Sequence, residues 1–528
     1  MDSISSELLS ELRTLIEQLG NQGGLVSPSV YDTAQVLRLY PPQEGVVPGL
    51  KWLLSQQHED GGWGVQAVPS ARSIPTLAAV LALYTYRHTY NAQNAIQAGL
   101  NFLERNAAQW ASLHIDLVPI AGEMILPYLL QEAAEMGLVI DQAPYARILE
   151  LRMTKLRYLD NQPLPSNSAP TYSWEALGFP HRSEVLHPHT GVGHSPAATA
   201  AWLHTARQIG EEGALCAKAE AYLARAAATT GTGIPGVVPM VYPITGFELC
   251  YGLYALLLTG ILDHPELQDV VAPKVAELRE MVEREQGLSF GEEFVPDVDE
   301  TAVAVSVLQA AKQSPDVKLV HRFWRNDHFY TYVHELNPSV FSNAHALHAL
   351  VQCNERCKST EDFLIRQQTK SGAWVVDKWH TSWRSSTLEV IAALLPLGYE
   401  EQLRRAGQAL IADQNPDGSW GPSGSASALE TAHSVIALQL VASIPHLTEQ
   451  MQPSLLSGRQ WLWDHQDTLH TIERAWLGKE VYSAIRVDHL YKLCAILSPT
   501  LRAKHPMQRE HKEIDAVYAT AQKAQQWN

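Results

Sequence analysis

Apolar residues along this chain follow the spacing of helices. Ala-rich amphipathic runs recur at six places, 74–84, 197–206, 301–311, 344–351, 387–395 and 428–440. Strand-type alternation of apolar and polar residues is scarce. Pro and Gly cluster between runs, at 160–170, 230–243 and 416–424, and such clusters indicate loops. The pattern predicts an all-α protein.

One short motif occurs three times and marks where helices are joined. Gln-x-x-x-Gly-x-Trp begins at Gln57, Gln368 and Gln414, each time after a helix-like segment. The spacing of the last two copies fits a helical hairpin, and self-similarity of this kind indicates an array of hairpins. Glycine lets the chain turn at the end of a helix, and tryptophan fills the corner. We therefore predict stacked helical hairpins in at least two domains, with structural rather than catalytic tryptophans.

Three carboxylates precede the run at 301–311. Asp297 and Glu300 have the spacing of a helix capping box, and Asp299 lies between them. The residues that follow are apolar on nearly every helical face, whereas a surface helix has an apolar stripe of about 100°. Carboxylates at the start of a buried helix are rare unless they are paired or functional. A cap explains Asp297 and Glu300 and leaves Asp299 unexplained.

Composition and charge narrow the class of protein. The chain has 528 residues and 46% hydrophobic content, as in a packed protein of two or three domains. The net charge of −17 argues against nucleic-acid binding through a basic surface. Five cysteines, an odd and small number, favour a reducing compartment. The acidic N-terminus lacks a signal-peptide core, and no apolar run reaches the roughly 18 residues of a membrane span. We expect a cytoplasmic protein without a membrane span.

Several phrases resemble one enzyme family, the class II terpene cyclases. The tryptophan repeats and an Asp-x-Asp-Asp-Thr-Ala-type motif at 297–302 carry the general resemblance. More specific phrases are similar to copalyl-diphosphate-synthase-like diterpene cyclases, bacterial members included, and occur in the family's order: SVYDTA (29–34), SPAATA (195–200), VYPITGFE (241–248), NPSVFSNAH (337–345), DKWH (377–380) and WLGKEVY (476–482).

The resemblance implies a fold of two α/α-barrel domains, called β and γ, with γ inserted after the first helix of β. Residues 1–20 would form that first helix, 21–225 the γ domain, and 226–528 the β domain with the acid motif. The active site would lie in a deep cavity between them. Class I cyclases instead use an Asp-Asp-x-x-Asp metal motif, and this sequence contains no Asp-Asp pair. The diphosphate should therefore survive in the product.

The resemblance also implies that Asp299 is the proton donor. Burial disfavours its charged form, and carboxylates at Asp297 and Glu300 raise the cost of ionising it, so we expect the three to titrate as a coupled set. Glu300 replaces the usual Asp, and we expect it to orient Asp299 or to relay the proton. In the family a side-chain amide on a facing helix supports the acid, and Asn343 matches it. His345 is a weaker candidate, because a lone histidine beside apolar helix is more often a satisfied core residue.

Other positions are expected to line the cavity. Trp379, His380 and Trp383 fall in a segment, 378–387, that matches a lining segment of the family, and packing alone is the alternative role. The family usually has Ser-Pro-Tyr-Tyr there, whereas this chain has Ser-Trp-Arg-Ser at 382–385. The sequence therefore does not assign the shape of the cavity, and it does not assign the product that depends on this shape.

The diphosphate requires cations. Lys479 and Arg486 are seven residues apart, which places both on one face of a helix, and surface charge is their alternative role. The resemblance implies Mg²⁺ as cofactor. The family's acidic metal motif should fall near 112–116, but this segment lacks the Glu-Asp pair, so the metal ligands are not assigned.

Together with the resemblance, these observations predict a class II diterpene cyclase that acts on geranylgeranyl diphosphate. The product would be a bicyclic diphosphate of labdane, halimane or clerodane (kolavenyl) type, and the final base is open. The alternatives are a farnesyl diphosphate cyclase of the drimenyl type, a squalene-hopene-type triterpene cyclase, or a non-catalytic α/α-barrel scaffold. The expected partner is the prenyl diphosphate, and the oligomeric state is open between monomer and homodimer.

Overall fold

The computed structural model describes residues 3–112, 118–332, 338–375 and 377–504. Helices dominate this part of the chain: α1 Ser3–Gln18, α2 Val30–Leu39, α3 Val47–Ser55, α4 Ser73–Thr85, α5 Gln93–Asn106, α6 Ala108–Ser112, α7 Gly122–Glu135, α8 Ala146–Leu159, α9 Trp174–Leu177, α10 Pro196–Gln208, α11 Ala214–Thr229, α12 Thr245–Leu258, α13 Gln268–Glu285, α14 Val298–Ala310, α15 Lys318–His321, α16 Val340–Gln352, α17 Lys358–Gln367, α18 Trp383–Leu394, α19 Glu400–Ala412, α20 Ala428–Val441, α21 Thr448–Asp464 and α22 Ile485–Lys504.

Among the described residues, short 3-10 helices and three hairpins of two-residue strands accompany these α-helices. Leu186–His187 (β1) pairs with Gly191–Val192 (β2), Trp324–Arg325 (β3) with His328–Phe329 (β4), and Trp476–Leu477 (β5) with Val481–Tyr482 (β6), all antiparallel. The predicted all-α class is confirmed. No helix among the described residues combines the length and apolarity needed to cross a bilayer.

The helices form two closed rings. In the six-helix ring, α12, α14, α16, α18, α20 and α22 pack in that order, and α22 returns to α12. In the five-helix ring, α2, α4, α7, α9 and α10 close in the same way. Ring helices such as α14 and α20 bury nearly all their residues, whereas α13 and α19 outside the six-helix ring alternate buried and exposed faces. The predicted α/α-barrel architecture is confirmed.

The tryptophan repeats join an outer helix to the next ring helix. The indole N–H groups of Trp63, Trp374 and Trp420 each donate to the carbonyl ten residues earlier, at 2.6–2.8 Å. Their backbone N–H groups donate to threonine hydroxyls on α4, α18 and α20. Each repeat therefore satisfies the end of one helix and anchors it to another. The predicted structural role is confirmed.

Two large hydrophobic cores accompany the rings, and a small third cluster lies around Phe323 and Phe329. Leu8, Leu12 and Ile16 of α1 belong to the same core as the six-helix ring. The other core is built from residues between 30 and 242. The N-terminal helix thus packs with the C-terminal half of the chain. The domain boundaries 1–20, 21–225 and 226–528 stay a prediction.

Candidate active site

The start of α14 brings the predicted acids together. Asp297 is the N-cap residue, and its carboxylate accepts from the Glu300 backbone N–H at 3.0 Å. The reciprocal half of the capping box does not form, because the Asp297 N–H donates to the Leu288 carbonyl instead. The Glu300 side chain is therefore not used as a cap, and the expected capping role holds for Asp297 alone.

Neighbouring ring helices hold both carboxylate oxygens of Asp299. The Tyr251 hydroxyl on α12 donates to Oδ2 at 2.7 Å, and His345 Nδ1 on α16 lies 2.8 Å from Oδ1. His345 Nε2 in turn lies 3.1 Å from Glu389 Oε2 on α18. Four consecutive helices of the six-helix ring thus supply one connected group of buried polar side chains.

The His345 imidazole bridges two carboxylates. Burial lowers its pKa, but the charges of Asp299 and Glu389 and the hydrogen bonds to them raise the pKa to about 9. While both carboxyl groups are charged, the ring is therefore an imidazolium with an N–H facing each of them; for Asp299 this is the form that remains once a proton has left.

Asp297 and Glu300, the acids on either side of Asp299, have higher pKa values than ordinary carboxyl groups. Burial raises the pKa of Asp297 to about 7. Burial and the charge of Asp297 raise the pKa of Glu300 well above its usual value, and the two side chains share a hydrogen bond. A carboxyl group that stays protonated at neutral pH is a source of protons in a site that excludes water.

The three acids open into a cavity between the two rings. Tyr172 comes from the chain of the five-helix ring, and Phe247, Phe290, Phe294 and Trp476 come from the other side. Asp297, Asp299 and Glu300 form part of the same wall. None of the described residues lining this cavity is a lysine or arginine. The cavity is an aromatic chamber with acids on one wall.

One of the three predicted lining residues reaches this chamber. Trp379 lines it, and its indole N–H donates to Thr331 Oγ1 at 3.2 Å. His380 is buried behind the wall, stacked on Phe341 and in edge contact with Trp476. Trp383 begins α18 next to Arg384, whose guanidinium lies over the indole. His380 and Trp383 therefore support the wall instead of lining it.

Asn343 does not contact the acid. Its amide donates to the carbonyls of Phe329 and Ser339 and accepts from the Phe329 N–H, each at 2.8 Å. The side chain thus ties β4 to α16. His345 lies two residues later, about 200° further around the helix, and so points at Asp299. The α16 side chain in contact with Asp299 is thus His345, a histidine where the resemblance implied an amide.

Lys479 and Arg486 do not share a helical face. Lys479 lies in the turn between β5 and β6, and Arg486 is on α22. Lys479 Nζ donates to Glu175 Oε1 at 2.7 Å and to Ser195 Oγ at 2.6 Å, fully buried. Arg486 pairs with buried Glu248 at 2.9 Å. Both cations are buried in internal ion pairs, so the surface-charge alternative is wrong, and since neither lines the chamber, their role toward the diphosphate stays a prediction.

Tyr251 and Glu389 were not identified from the sequence. Glu389 carries the signal that singled out Asp299, a carboxylate within an apolar run, the one at 387–395. Tyr251 has no local signal, because many tyrosines lie in apolar helices. Only the packing of α12 against α14 brings its hydroxyl to Asp299.

The described residues do not form a recognisable magnesium site in this chamber. The carboxyl groups on the wall are the three acids of the start of α14, and the other described lining residues add no charged oxygen ligand of the kind that Mg²⁺ prefers. The segment 113–117, which covers most of the region where the metal motif was expected, lies outside the described residues.

Comparisons with known proteins place the chain among diterpene cyclases. No protein-family model matches it. It is 38% identical over 517 residues to the (+)-kolavenyl diphosphate synthase of Herpetosiphon aurantiacus, covering 95% of this chain and 99% of that protein. It is 29% identical to the type B diterpene cyclase of Mycobacterium tuberculosis, over 91% and 97% of the two chains. The solved ent-copalyl diphosphate synthase of Streptomyces platensis superposes with a TM-score of 0.78 at 27% identity, covering 94% and 100%.

Proposed function

The chain belongs to the class II diterpene cyclases, and we propose that it protonates the terminal alkene of geranylgeranyl diphosphate through Asp299. The product is a bicyclic diphosphate. The observation that carries this proposal is the placement of Asp299, on the wall of an aromatic chamber with both oxygens held by donors on neighbouring helices.

The first step transfers one proton. The O–H bond of Asp299 breaks, a C–H bond forms at the alkene, and a tertiary carbocation and a carboxylate remain. Tyr251 and His345 already point at the two oxygens on which the negative charge develops. Donors placed in advance where charge appears stabilise a transition state, typically by several kcal/mol.

Ring closure then requires a chamber that excludes water and faces the cation with aromatic rings. Phe247 and Trp476 meet edge to face at 4.8 Å, and Phe290 and Phe294 lie 4.5 Å apart. Aromatic faces attract cations through the ring quadrupole. Trp379 closes the same wall. Successive alkenes attack the cation, and a final proton is lost, so the reaction is an isomerisation overall.

Glu300 has a supporting role in this proposal. Its hydrogen bond to Asp297 and its raised pKa keep a proton within the acid group at neutral pH. We propose that this proton helps to restore Asp299 after each turnover, since Glu300 opens into the same chamber.

The diphosphate stays on the product. The chain lacks the Asp-Asp pair of the metal motif that ionises prenyl diphosphates. Mg²⁺ enters the proposal as the counter-ion that the substrate brings with it. Among bicyclic skeletons, the name of the Herpetosiphon relative favours the clerodane (kolavenyl) type.

The test is an incubation of the purified protein with geranylgeranyl diphosphate and Mg²⁺, followed by phosphatase treatment and mass spectrometry. Wild type is expected to give a bicyclic alcohol, and Asp299→Ala and Asp299→Asn are expected to give none. If the protein converted farnesyl diphosphate and not geranylgeranyl diphosphate, the substrate in this proposal would be farnesyl diphosphate instead. Equal product from wild type and both variants would show that the acid lies elsewhere.

A further inference from the structure

A second group of ligand-type side chains lies on the outside of the six-helix ring, away from the chamber. Glu11 is on α1, His489 is on α22, and His470 is in the loop between α21 and β5. One potential ligand atom from each lies within 4.8 Å of the others. None of the three lines the chamber.

The distances match ligands around one metal ion. Glu11 Oε1 lies 3.1 Å from His489 Nε2 and 3.6 Å from His470 Nδ1. Two ligands that bind zinc at about 2.1 Å with a tetrahedral angle are about 3.4 Å apart. The exposed His470 ring can rotate to close the third pair, because 65% of its side chain is accessible to solvent.

His489 supplies an independent observation. Its Nε2 atom is buried and lies 3.1 Å from Glu11 Oε1, but this contact does not have the geometry of a hydrogen bond, and no other polar atom takes its place. A buried ring nitrogen normally makes a hydrogen bond, so an atom without one calls for an explanation. Here the nitrogen faces a surface depression that Glu7, Ser10 and Thr14 also line. A metal ion in this depression would satisfy it.

We propose that Glu11, His470 and His489 bind a divalent transition-metal ion of the zinc class. Two imidazoles and one carboxylate suit Zn²⁺ or Co²⁺, whereas Mg²⁺ prefers oxygen ligands. Three protein ligands leave a fourth position open to water. The site is distinct from the cyclisation chemistry and from the Mg²⁺ that accompanies the diphosphate.

The metal would clamp the first helix to the last. The inner face of α1 is held on the core by leucines and isoleucine, but its outer face carries the Glu11 carboxylate. The ion would join this face to α22, which closes the six-helix ring against α12. Because the ligands come from three separated segments, binding favours the folded chain over the unfolded one.

The test uses the full-length protein after removal of metals with a chelator. Wild type is titrated with Co²⁺, followed by its absorption spectrum, and with Zn²⁺, followed by calorimetry and thermal unfolding. His470→Ala is the main variant because this side chain is exposed, and Glu11→Gln is the second. The control is His446→Ala, which removes another exposed histidine that contacts a glutamate, at 3.3 Å from Glu400.

Wild type and the control are expected to bind one equivalent and to unfold at a higher temperature with Zn²⁺. His470→Ala and Glu11→Gln are expected to bind at least about tenfold more weakly and to lose the thermal shift. The proposal is overturned if wild type shows no saturable binding. It is also overturned if both variants bind as tightly as the control.

Discussion

Removal of His345 tests whether this side chain, and not Asn343, supports the acid. The proposed change is His345→Phe, which keeps a planar ring in the same space and removes both N–H groups. Asp299 would keep the Tyr251 hydroxyl at Oδ2 and lose the donor at Oδ1. The ring contact with Phe341 can persist, because it depends on shape.

The expected loss of activity follows from the reaction step in which the hydrogen bond from His345 to Asp299 acts. The imidazolium stabilises the carboxylate that forms when the proton leaves, and removing one such donor typically lowers kcat by about 10²–10³-fold, or about 2.7–4 kcal/mol. His345 does not line the chamber that would hold the substrate tail, so KM should change little. His345→Phe is thus expected to reduce kcat and kcat/KM together.

The His345→Phe variant is also expected to be less stable, and this effect has to be separated from the loss of kcat. Without His345, the Glu389 carboxylate loses its facing charge in a fully buried position. An uncompensated buried charge typically destabilises a protein by about 3–5 kcal/mol. The double variant His345→Phe/Glu389→Gln removes that charge, and thermal unfolding shows whether the fold is retained.

The assay is steady-state cyclisation of geranylgeranyl diphosphate, with product measured by mass spectrometry. The matched control is His348→Phe, on the same helix and equally buried, whose Nδ1 contacts Tyr254 and not Asp299. The control should keep kcat within a few-fold of wild type. If the folded double variant retained wild-type kcat, His345 would have no part in holding the acid.

Three further predictions concern the surroundings of the acid. Glu300→Gln is expected to leave the single-turnover rate unchanged and to lower the steady-state rate. An equal loss in both rates would refute a role for Glu300 in returning the proton to Asp299. Lys479→Met leaves Glu175 buried without its cation and should lower the unfolding free energy by about 3–5 kcal/mol, measured by denaturant titration. Three buried carboxyl groups have folded pKa values raised to about 7, those of Asp32, Asp297 and Asp488. Their stabilising contribution is fully present below about pH 4 and is lost as pH rises to about 7, so the unfolding temperature should fall between about pH 4 and 7 and level off above it; a rise between about pH 4 and 7 would contradict it.

Much of the fold was predictable because its signals are local. The tryptophan repeats place glycine, glutamine and tryptophan within seven residues, and each copy makes the same hydrogen bonds. Burial of α14 followed from apolar residues on every face. The acids also lie within four residues, so their proximity required no knowledge of the tertiary structure.

The partners of the acid could not be predicted in the same way. Asn343 and His345 lie in one phrase, and only the rotation of α16 about its axis decides which of them faces α14. Lys479 was placed on a helix because its spacing to Arg486 fits one, but Gly478 and the β5–β6 turn interrupt that helix. A spacing of seven residues indicates a shared face only if the intervening chain is helical.

At the start of α14, the helix cap and the proposed proton donor are two different carboxyl groups. Asp297 accepts the backbone N–H bond that the helix end requires. This backbone bond favours the charged form and so opposes the rise in pKa that burial causes, which makes the capping residue less suited to donate a proton than a carboxyl group without such a bond. Asp299, two residues later, is spared that bond and faces the chamber. It still lies in the first turn, where the positive end of the helix dipole stabilises the carboxylate formed after transfer. The helix cap and the proposed proton donor are thus different residues, two positions apart in the chain.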